Sequence, residues 1–283
     1  MPARAILTGY SMSLAQRVLI RGSAFRLARG IAYGPEPRQA LDIYTPKEGA
    51  PAATVVFFYG GSWKSGDRGL YRFLGHALAQ RGYQAVIADY RLFPDVRYPA
   101  FVEDAALAVA WTKANIETHG GTADRIVLMG HSAGAYNAVM LAIDSRWLAP
   151  HGLRPADIAA AVSLAGPLSF NPLGTDSTRS IFAPAAADAE GARPVKLAAA
   201  GAEGAPPFLF LHGEADRTVG AQNATNMARA VNEAGGRAAV KLYPRVGHLG
   251  LVTSFAWPLR WQAPCLDDVT LFMASAAAAA GAR

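Results

Sequence analysis

Residues 125–134 read RIVLMGHSAG, an apolar run that breaks into a small, glycine-bounded segment centred on Ser132. Residues 126–129 are typical of a buried strand of a parallel sheet, and the Ala-, Val-, Met- and Leu-rich residues 133–143 are typical of a helix. Ser132 is therefore predicted to lie on a sharp turn from strand to helix, where the glycines two positions before and after it leave room for both elements. Such a turn lifts the serine hydroxyl out of the sheet, beside the positive end of the helix dipole.

Two residues with complementary chemistry follow predicted strands later in the chain. Asp216 comes shortly after one apolar strand, and His248 lies in the loop beyond another. A serine hydroxyl is a weak nucleophile, so an imidazole must take its proton, and a buried carboxylate must fix the tautomer of that imidazole. The order of nucleophile, acid and histidine predicts a catalytic triad of Ser132, Asp216 and His248. Glu214 is a rival acid. The histidines expected to be structural or exposed are His76, His119, His131, His151 and His212.

A glycine-containing loop after a third apolar strand is suited to binding a negatively charged oxygen. Residues 53–59 form the predicted strand, and Gly60, Gly61 and Ser62 follow it as the segment that we call the oxyanion loop. Glycine lets the backbone approach a substrate closely, so the N–H groups of the loop and of Ala133 are predicted to stabilise an oxyanion. Removing one such donor usually lowers a rate by about 10²–10³.

Strands that alternate with helices predict an α/β fold with a mostly parallel sheet covered on both faces. The first two strands form a hairpin, and ligands of such sheets bind at the carboxyl ends of the strands. The predicted strands are 25–33, 39–44, 53–59, 83–90, 125–129, 158–164, 207–212 and 238–243. The predicted helices are 69–81, 99–118, 133–143, 220–235 and the residues from about 265 onward.

Composition limits the classes of partner. With 283 residues and 52% hydrophobic content, the chain can bury the core of one large domain, predicted at 24–283. The net charge is +6, but the arginines are scattered and no nucleic-acid-binding motif accompanies them, so no nucleic-acid partner is expected. Cys265 is the single cysteine, and the histidines show no metal-binding spacing, so no metal and no cofactor are expected.

Residues 1–23 form a predicted N-terminal arm or helix that is basic and apolar. They lack the longer apolar centre of a signal peptide, and Tyr10 stands where a lipoprotein signal would need a cysteine. No run approaches the roughly 18 apolar residues of a membrane span, so no stable membrane insertion is expected. The expected location is the cytoplasm. A membrane-surface lipase that uses this arm is an alternative.

Residues 166–206 are predicted to be an irregular, cap-like segment over the site. Phe170 or Phe182 is expected to narrow a substrate pocket that Trp63 also lines, which would favour short acyl chains of about two to six carbons. Alternatively, the segment faces solvent and its aromatic residues pack on the body of the domain.

Together these residues resemble the α/β-hydrolase esterases, in particular the small carboxylesterases with a His-Gly-Gly-x-Trp oxyanion loop and a Gly-x-Ser-Ala-Gly nucleophile turn. The resemblance runs from about residue 31 to residue 248 and includes LDIY at 41–44 and DYRL at 89–92. Feruloyl-esterase-like proteins, the hormone-sensitive-lipase-like group and arylformamidases share this outline. Tyr59 stands where these families have a histidine, which supports the loop and carries no proton, so activity is expected to survive the difference.

The predicted function is a metal-independent serine hydrolase that cleaves small carboxylic esters through an acyl-enzyme intermediate. An arylformamidase or another small amidase would use the same triad. A catalytically silent hydrolase fold that acts as a binding module is an alternative of another class, although such a fold would not need all three triad residues.

Overall fold

The computed structural model describes residues 25–202 and 204–281, and one eight-stranded sheet forms its centre. The predicted arm at residues 1–23 lies outside the described residues. The strands are β1 (Phe25–Ala32), β2 (Ala40–Pro46), β3 (Thr54–Phe58), β4 (Gln84–Ala88), β5 (Ile126–His131), β6 (Ala160–Leu164), β7 (Phe208–Gly213) and β8 (Ala238–Tyr243). Their order across the sheet is β1-β2-β4-β3-β5-β6-β7-β8.

The sheet is parallel except at one edge. Strand β2 pairs antiparallel with both β1 and β4, and the remaining neighbours pair in parallel. Every residue of β3 to β7 is buried, as expected for strands covered on both faces. The predicted α/β-hydrolase fold, with its leading hairpin, is confirmed.

Helices connect the parallel strands. The α-helices are α1 (Arg72–Gln80), α2 (Ala100–Asn115), α3 (Ala133–Ile143), α4 (Ser145–Leu148), α5 (Asp176–Arg179), α6 (Pro194–Ala200), α7 (Gln222–Glu233), α8 (His248–Thr253) and α9 (Cys265–Gly281). The 3₁₀ helices are Arg68–Tyr71, Ile116–His119, Ala149–His151, Pro155–Asp157, Ala183–Asp188 and Trp257–Gln262. Helix α3 is buried from Ala133 to Ala142 and packs against β3, β5 and β6, so its amino end is fixed at the centre of the sheet.

The segment 166–206 is less irregular than the sequence analysis predicted. It contains α5, the 3₁₀ helix Ala183–Asp188 and α6. Proline stands in the first turn of the 3₁₀ helix and of α6. Its fixed φ angle suits a first turn, and the N–H that proline lacks would have no partner within the helix at that position.

The strand order brings together the loops that follow β3 and β5. These strands are parallel neighbours, with Phe58 opposite Gly130, so the oxyanion loop emerges beside the turn that carries Ser132. Strands β7 and β8 end at the same edge and lead to Asp216 and His248. Within the described residues, no helix has the length and apolar character that crossing a membrane requires.

Candidate active site

Ser132 lies on the predicted turn between β5 and α3. Its backbone has φ 55° and ψ −121°, a conformation that L-residues rarely adopt, and the residue is 8% exposed. A Cβ atom added to Gly130 would lie 2.2 Å from the carbonyl oxygen of Gly134, and one added to Gly134 would lie 2.1 Å from that of Phe58. Only glycine fits at both positions, so the two glycines permit the close approach of strand and helix.

His248 and Asp216 form a hydrogen-bonded pair. The distance from His248 Nδ1 to Asp216 Oδ2 is 2.7 Å. The side chain of Asp216 is fully buried, whereas that of Glu214 is exposed. His248 is the first residue of α8, a helix of six residues that the sequence analysis did not predict. The structure therefore pairs His248 with Asp216 and not with Glu214.

Asp216 is held as a carboxylate by its surroundings. Burial alone would raise its pKa, but hydrogen bonds from the Val219 N–H and from His248, together with the Thr218 N–H, hold the pKa below its usual value. The two N–H groups lie 2.8 and 2.9 Å from Oδ1, so Oδ2 is left to face the imidazole. The carboxylate is thus fixed in both charge and orientation.

The oxyanion loop lies against the nucleophile turn. A Cβ atom added to Gly60 would lie 2.9 Å from the Cβ of Ser132. Gly61 has φ 137°, and its carbonyl oxygen accepts hydrogen bonds from the N–H groups of Lys64 and Ser65, which curl the loop. Ser62 has φ 54°, a strained value for a residue other than glycine.

The N–H groups near Ser132 differ in their partners. That of Gly60 donates to the Tyr71 hydroxyl at 3.4 Å. Those of Gly61, Ser62 and Ala133 donate to no other group within residues 25–202 and 204–281. The latter three are therefore free to donate to an oxyanion, and the amino end of α3 adds its positive dipole.

Tyr59, which stands directly before the oxyanion loop, supports that loop from behind. Its ring stacks on those of Tyr71 and Tyr90, with centroids 5.9 and 4.8 Å away. Its hydroxyl lies 2.6 Å from the donating Nη2 of Arg38. The Tyr90 hydroxyl in turn donates to the Tyr59 carbonyl at 2.7 Å. A tyrosine at this position thus supports the loop by ring stacking and hydrogen bonds.

Two histidines that the sequence analysis expected to be structural or exposed are buried beside the triad. The ring of His131 lies 4.9 Å from that of His248, measured between centroids. His212 donates from Nε2 to the Val219 carbonyl at 2.7 Å, and the same atom lies 3.3 Å from Asp216 Oδ2. The position of His131 directly before Ser132 was the one sequence signal for this proximity. No group of three or more His, Cys, Asp or Glu side chains in the described part of the chain is arranged to hold a metal ion.

Trp63, Phe170 and Phe182 lie together next to the oxyanion loop. The ring of Trp63 is parallel to that of Phe170 at 6.3 Å and perpendicular to that of Phe182 at 4.9 Å. Its Nε1 donates to Asn137 Oδ1 at 3.1 Å, which fixes the indole. Phe182 is fully buried and Phe170 is only partly buried. Of the two candidate phenylalanines, Phe170 therefore has surface left to contact a ligand.

A serine on a strand-to-helix turn, an aspartate and a histidine after later strands, and free N–H groups after β3 define the site of an α/β-hydrolase. Comparison with known families agrees: the chain belongs to the BD-FAE family, whose model matches residues 41–231. The predicted resemblance to α/β-hydrolase carboxylesterases is thereby confirmed at the level of the family.

Individual relatives are named esterases. A probable isoprenylcysteine alpha-carbonyl methylesterase of Oryza sativa is 40% identical over 114 residues, 40% of this chain and 27% of that protein. Esterase LipQ of Mycobacterium tuberculosis is 30% identical over 227 residues, 72% of this chain and 52% of that protein. The matched part of this chain thus spans from about a quarter to about half of these relatives. A solved esterase of Thermogutta terrifontis with propionate bound has a TM-score of 0.71 at 25% identity, covering 89% of this chain and 94% of that one.

Proposed function

We propose that this protein is a serine hydrolase that cleaves small carboxylic esters through an acyl-enzyme intermediate. The observation that carries the proposal is the 2.7 Å contact between His248 Nδ1 and Asp216 Oδ2, at the sheet edge where Ser132 and the free N–H groups also lie. This contact leaves the other ring nitrogen, Nε2, as the proton acceptor of the imidazole.

In the first half of the reaction, Ser132 Oγ attacks the carbonyl carbon of the ester while His248 takes the hydroxyl proton. The carbonyl oxygen becomes an anion, which the N–H groups of Gly61, Ser62 and Ala133 stabilise. The charged carboxylate of Asp216 stabilises the imidazolium that forms. Because burial and backbone hydrogen bonds already fix that carboxylate, little reorganisation accompanies the step.

The intermediate then collapses. His248 returns its proton to the alkoxide oxygen, the C–O bond breaks, and the alcohol leaves with the acyl group attached to Ser132. In the second half, His248 takes a proton from water, and the resulting hydroxide attacks the acyl-enzyme. The carboxylic acid is released and Ser132 regains its proton.

The proposed substrate has a short acyl group of about two to six carbons. Trp63 is held rigidly by Asn137 at the end of the oxyanion loop, and the partly exposed ring of Phe170 lies beside it. Trp63 is only 2% exposed and Phe182 is fully buried, so the partly exposed Phe170 ring is the one of the three proposed to limit the acyl chain. The propionate bound to the Thermogutta terrifontis esterase is an acyl group of this size.

The test is turnover by purified protein of p-nitrophenyl esters with acyl chains from acetate to dodecanoate, together with an aryl formamide. We expect hydrolysis of the short esters, a steep fall beyond hexanoate, and slower cleavage of the formamide. Preferential cleavage of the formamide would favour the amidase alternative. If the folded protein cleaves none of these substrates, the proposed function is wrong.

A further inference from the structure

We propose that Tyr71 and His131 are positioning residues, which hold the oxyanion loop and the backbone of His248 in fixed relation to each other. The inference rests on the proposed function, because it assigns roles within the same site. Gly60, Tyr71, His131 and His248 form one chain of contacts: 3.4 Å from the Gly60 N–H to the Tyr71 hydroxyl, 3.4 Å from that hydroxyl to His131 Nδ1, and 3.2 Å from His131 Nε2 to the His248 carbonyl.

The direction of each hydrogen bond follows from the groups at the two ends. A carbonyl oxygen can only accept, so Nε2 of His131 carries the hydrogen that faces His248. In a neutral imidazole, Nδ1 then has a lone pair, and the Tyr71 hydroxyl donates to it. The oxygen of that hydroxyl remains free to accept from the Gly60 N–H. All three contacts are therefore satisfied at once by a single tautomer of His131.

The surroundings of His131 keep its ring neutral, as this arrangement requires. The side chain is buried, and burial, followed by the nearby charge of His248, lowers its pKa to about 3. A second positive charge at 4.9 Å from the His248 ring would disfavour the imidazolium that forms during catalysis. A neutral His131 ring makes the same hydrogen bonds and places no second positive charge beside His248.

Tyr71 is anchored independently of the site. It ends the 3₁₀ helix Arg68–Tyr71, in which Arg68 Nε donates to Asp42 at 2.8 Å and Asp67 caps the Gly69 N–H at 2.7 Å. Its ring packs at 5.3 Å from that of Phe57 on β3. His131 belongs to β5 at the centre of the sheet. Both contributing side chains thus stand on rigid elements, as positioning groups require.

The three hydrogen bonds that link Gly60, Tyr71, His131 and His248 are long. Removing one of them should therefore change the geometry of the site more than the stability of the fold. A shift of the oxyanion donors or of His248 by a fraction of an ångström acts mainly on the transition state, and misplacement by about 1 Å can lower a rate about 10²-fold. We expect Tyr71→Phe to lower kcat by about 10- to 100-fold while KM for p-nitrophenyl acetate changes by less than about threefold.

The experiment compares Tyr71→Phe, His131→Leu and His131→Gln with the wild-type protein. Gln places an amide N–H near the position of Nε2 and so retains the donor toward His248, whereas Leu removes it. Tyr83→Phe is the matched control. The Tyr83 hydroxyl donates to the Thr270 carbonyl at 3.2 Å and takes no part in the contacts that run from Gly60 to His248. The measurements are kcat and KM, and the rate at which a p-nitrophenyl phosphonate modifies Ser132.

We expect Tyr71→Phe to slow both turnover and phosphonylation, His131→Gln to retain more activity than His131→Leu, and Tyr83→Phe to match the wild type. Wild-type rates in Tyr71→Phe, or equal rates in the two His131 variants, would overturn the inference. If a His131 variant does not fold, Tyr71→Phe alone decides. A wild-type protein that neither cleaves the ester nor reacts with the phosphonate would refute the proposed function, which is a separate failure.

Discussion

The Oδ2 atom of Asp216 lies 2.7 Å from Nδ1 of His248, while Oδ1 of the same carboxylate accepts two backbone N–H groups. The carboxylate therefore cannot rotate without breaking hydrogen bonds to its own loop. This fixes the plane of the imidazole and leaves Nε2 of His248 as the nitrogen that accepts the Ser132 proton in the proposed mechanism.

Asp216→Asn should lower kcat by about 10⁴, because an amide in this position favours the wrong tautomer of His248. Glu214→Gln serves as the control and should retain wild-type activity, because Glu214 is exposed. Steady-state hydrolysis of p-nitrophenyl acetate measures both. Loss of activity in Glu214→Gln, with activity retained in Asp216→Asn, would identify Glu214 as the acid.

Gly61→Ala should lower kcat by about 10²–10³, the usual effect of losing one oxyanion donor. Gly61 has φ 137°, and an added Cβ would lie 2.0 Å from the Ser65 carbonyl oxygen, so the loop must move. Gly82→Ala is the control: Gly82 has φ 79°, with nothing within 4 Å of an added Cβ, so that variant carries backbone strain far from the site. Equal kcat values in the two variants would argue against an oxyanion role for the loop.

Phe170→Ala should extend activity toward longer acyl chains, because its partly exposed ring is proposed to limit the pocket. Phe182→Ala should instead destabilise the protein by about 3–5 kcal/mol, the usual cost of truncating a buried phenylalanine. The acyl-length profile and urea unfolding of both variants separate these effects. An unchanged profile in Phe170→Ala would show that this side chain does not limit the acyl chain.

The protein should lose stability as the pH falls below about 6.5, the ordinary pKa of histidine. Burial lowers the folded-state pKa of His131 to about 3, so between these values the unfolded chain binds a proton that the folded chain does not. The free energy of unfolding then falls by about 1.4 kcal/mol per pH unit. Burial lowers the pKa of His212 as well, which adds to the loss of stability at low pH. Urea unfolding at pH 7, 6 and 5 measures the free energy of unfolding at each pH. This free energy should fall less between pH 7 and pH 5 for His131→Gln than for the wild type, and an equal fall would contradict the prediction.

Local patterns predicted most of the sheet and all three proposed triad residues. The apolar run before Ser132 and the turn after it are encoded within ten residues, and Asp216 and His248 each follow their own strand. The short helices of residues 166–206 and α8 were missed, because four to seven residues are too few to show helical periodicity.

The contacts behind the triad depend on tertiary packing and have no local signature. Tyr71 reaches His131 across 60 positions of sequence, and His131 reaches His248 across 117. The packing of a 3₁₀ helix on β3 and β5 creates these contacts. The sequence position of His131 places it near Ser132, but neither residue type nor spacing could have predicted its partners Tyr71 and His248.

The nucleophile assignment is tested most directly by kcat for p-nitrophenyl acetate in Ser132→Ala, with circular dichroism as the check on folding. The variant should fold like the wild type, because it loses only one small hydroxyl. We predict a fall in kcat of about 10⁴–10⁶, as for other enzymes that lose a triad serine. A folded variant that retains kcat within about tenfold of the wild type would contradict the assignment of Ser132 as the nucleophile.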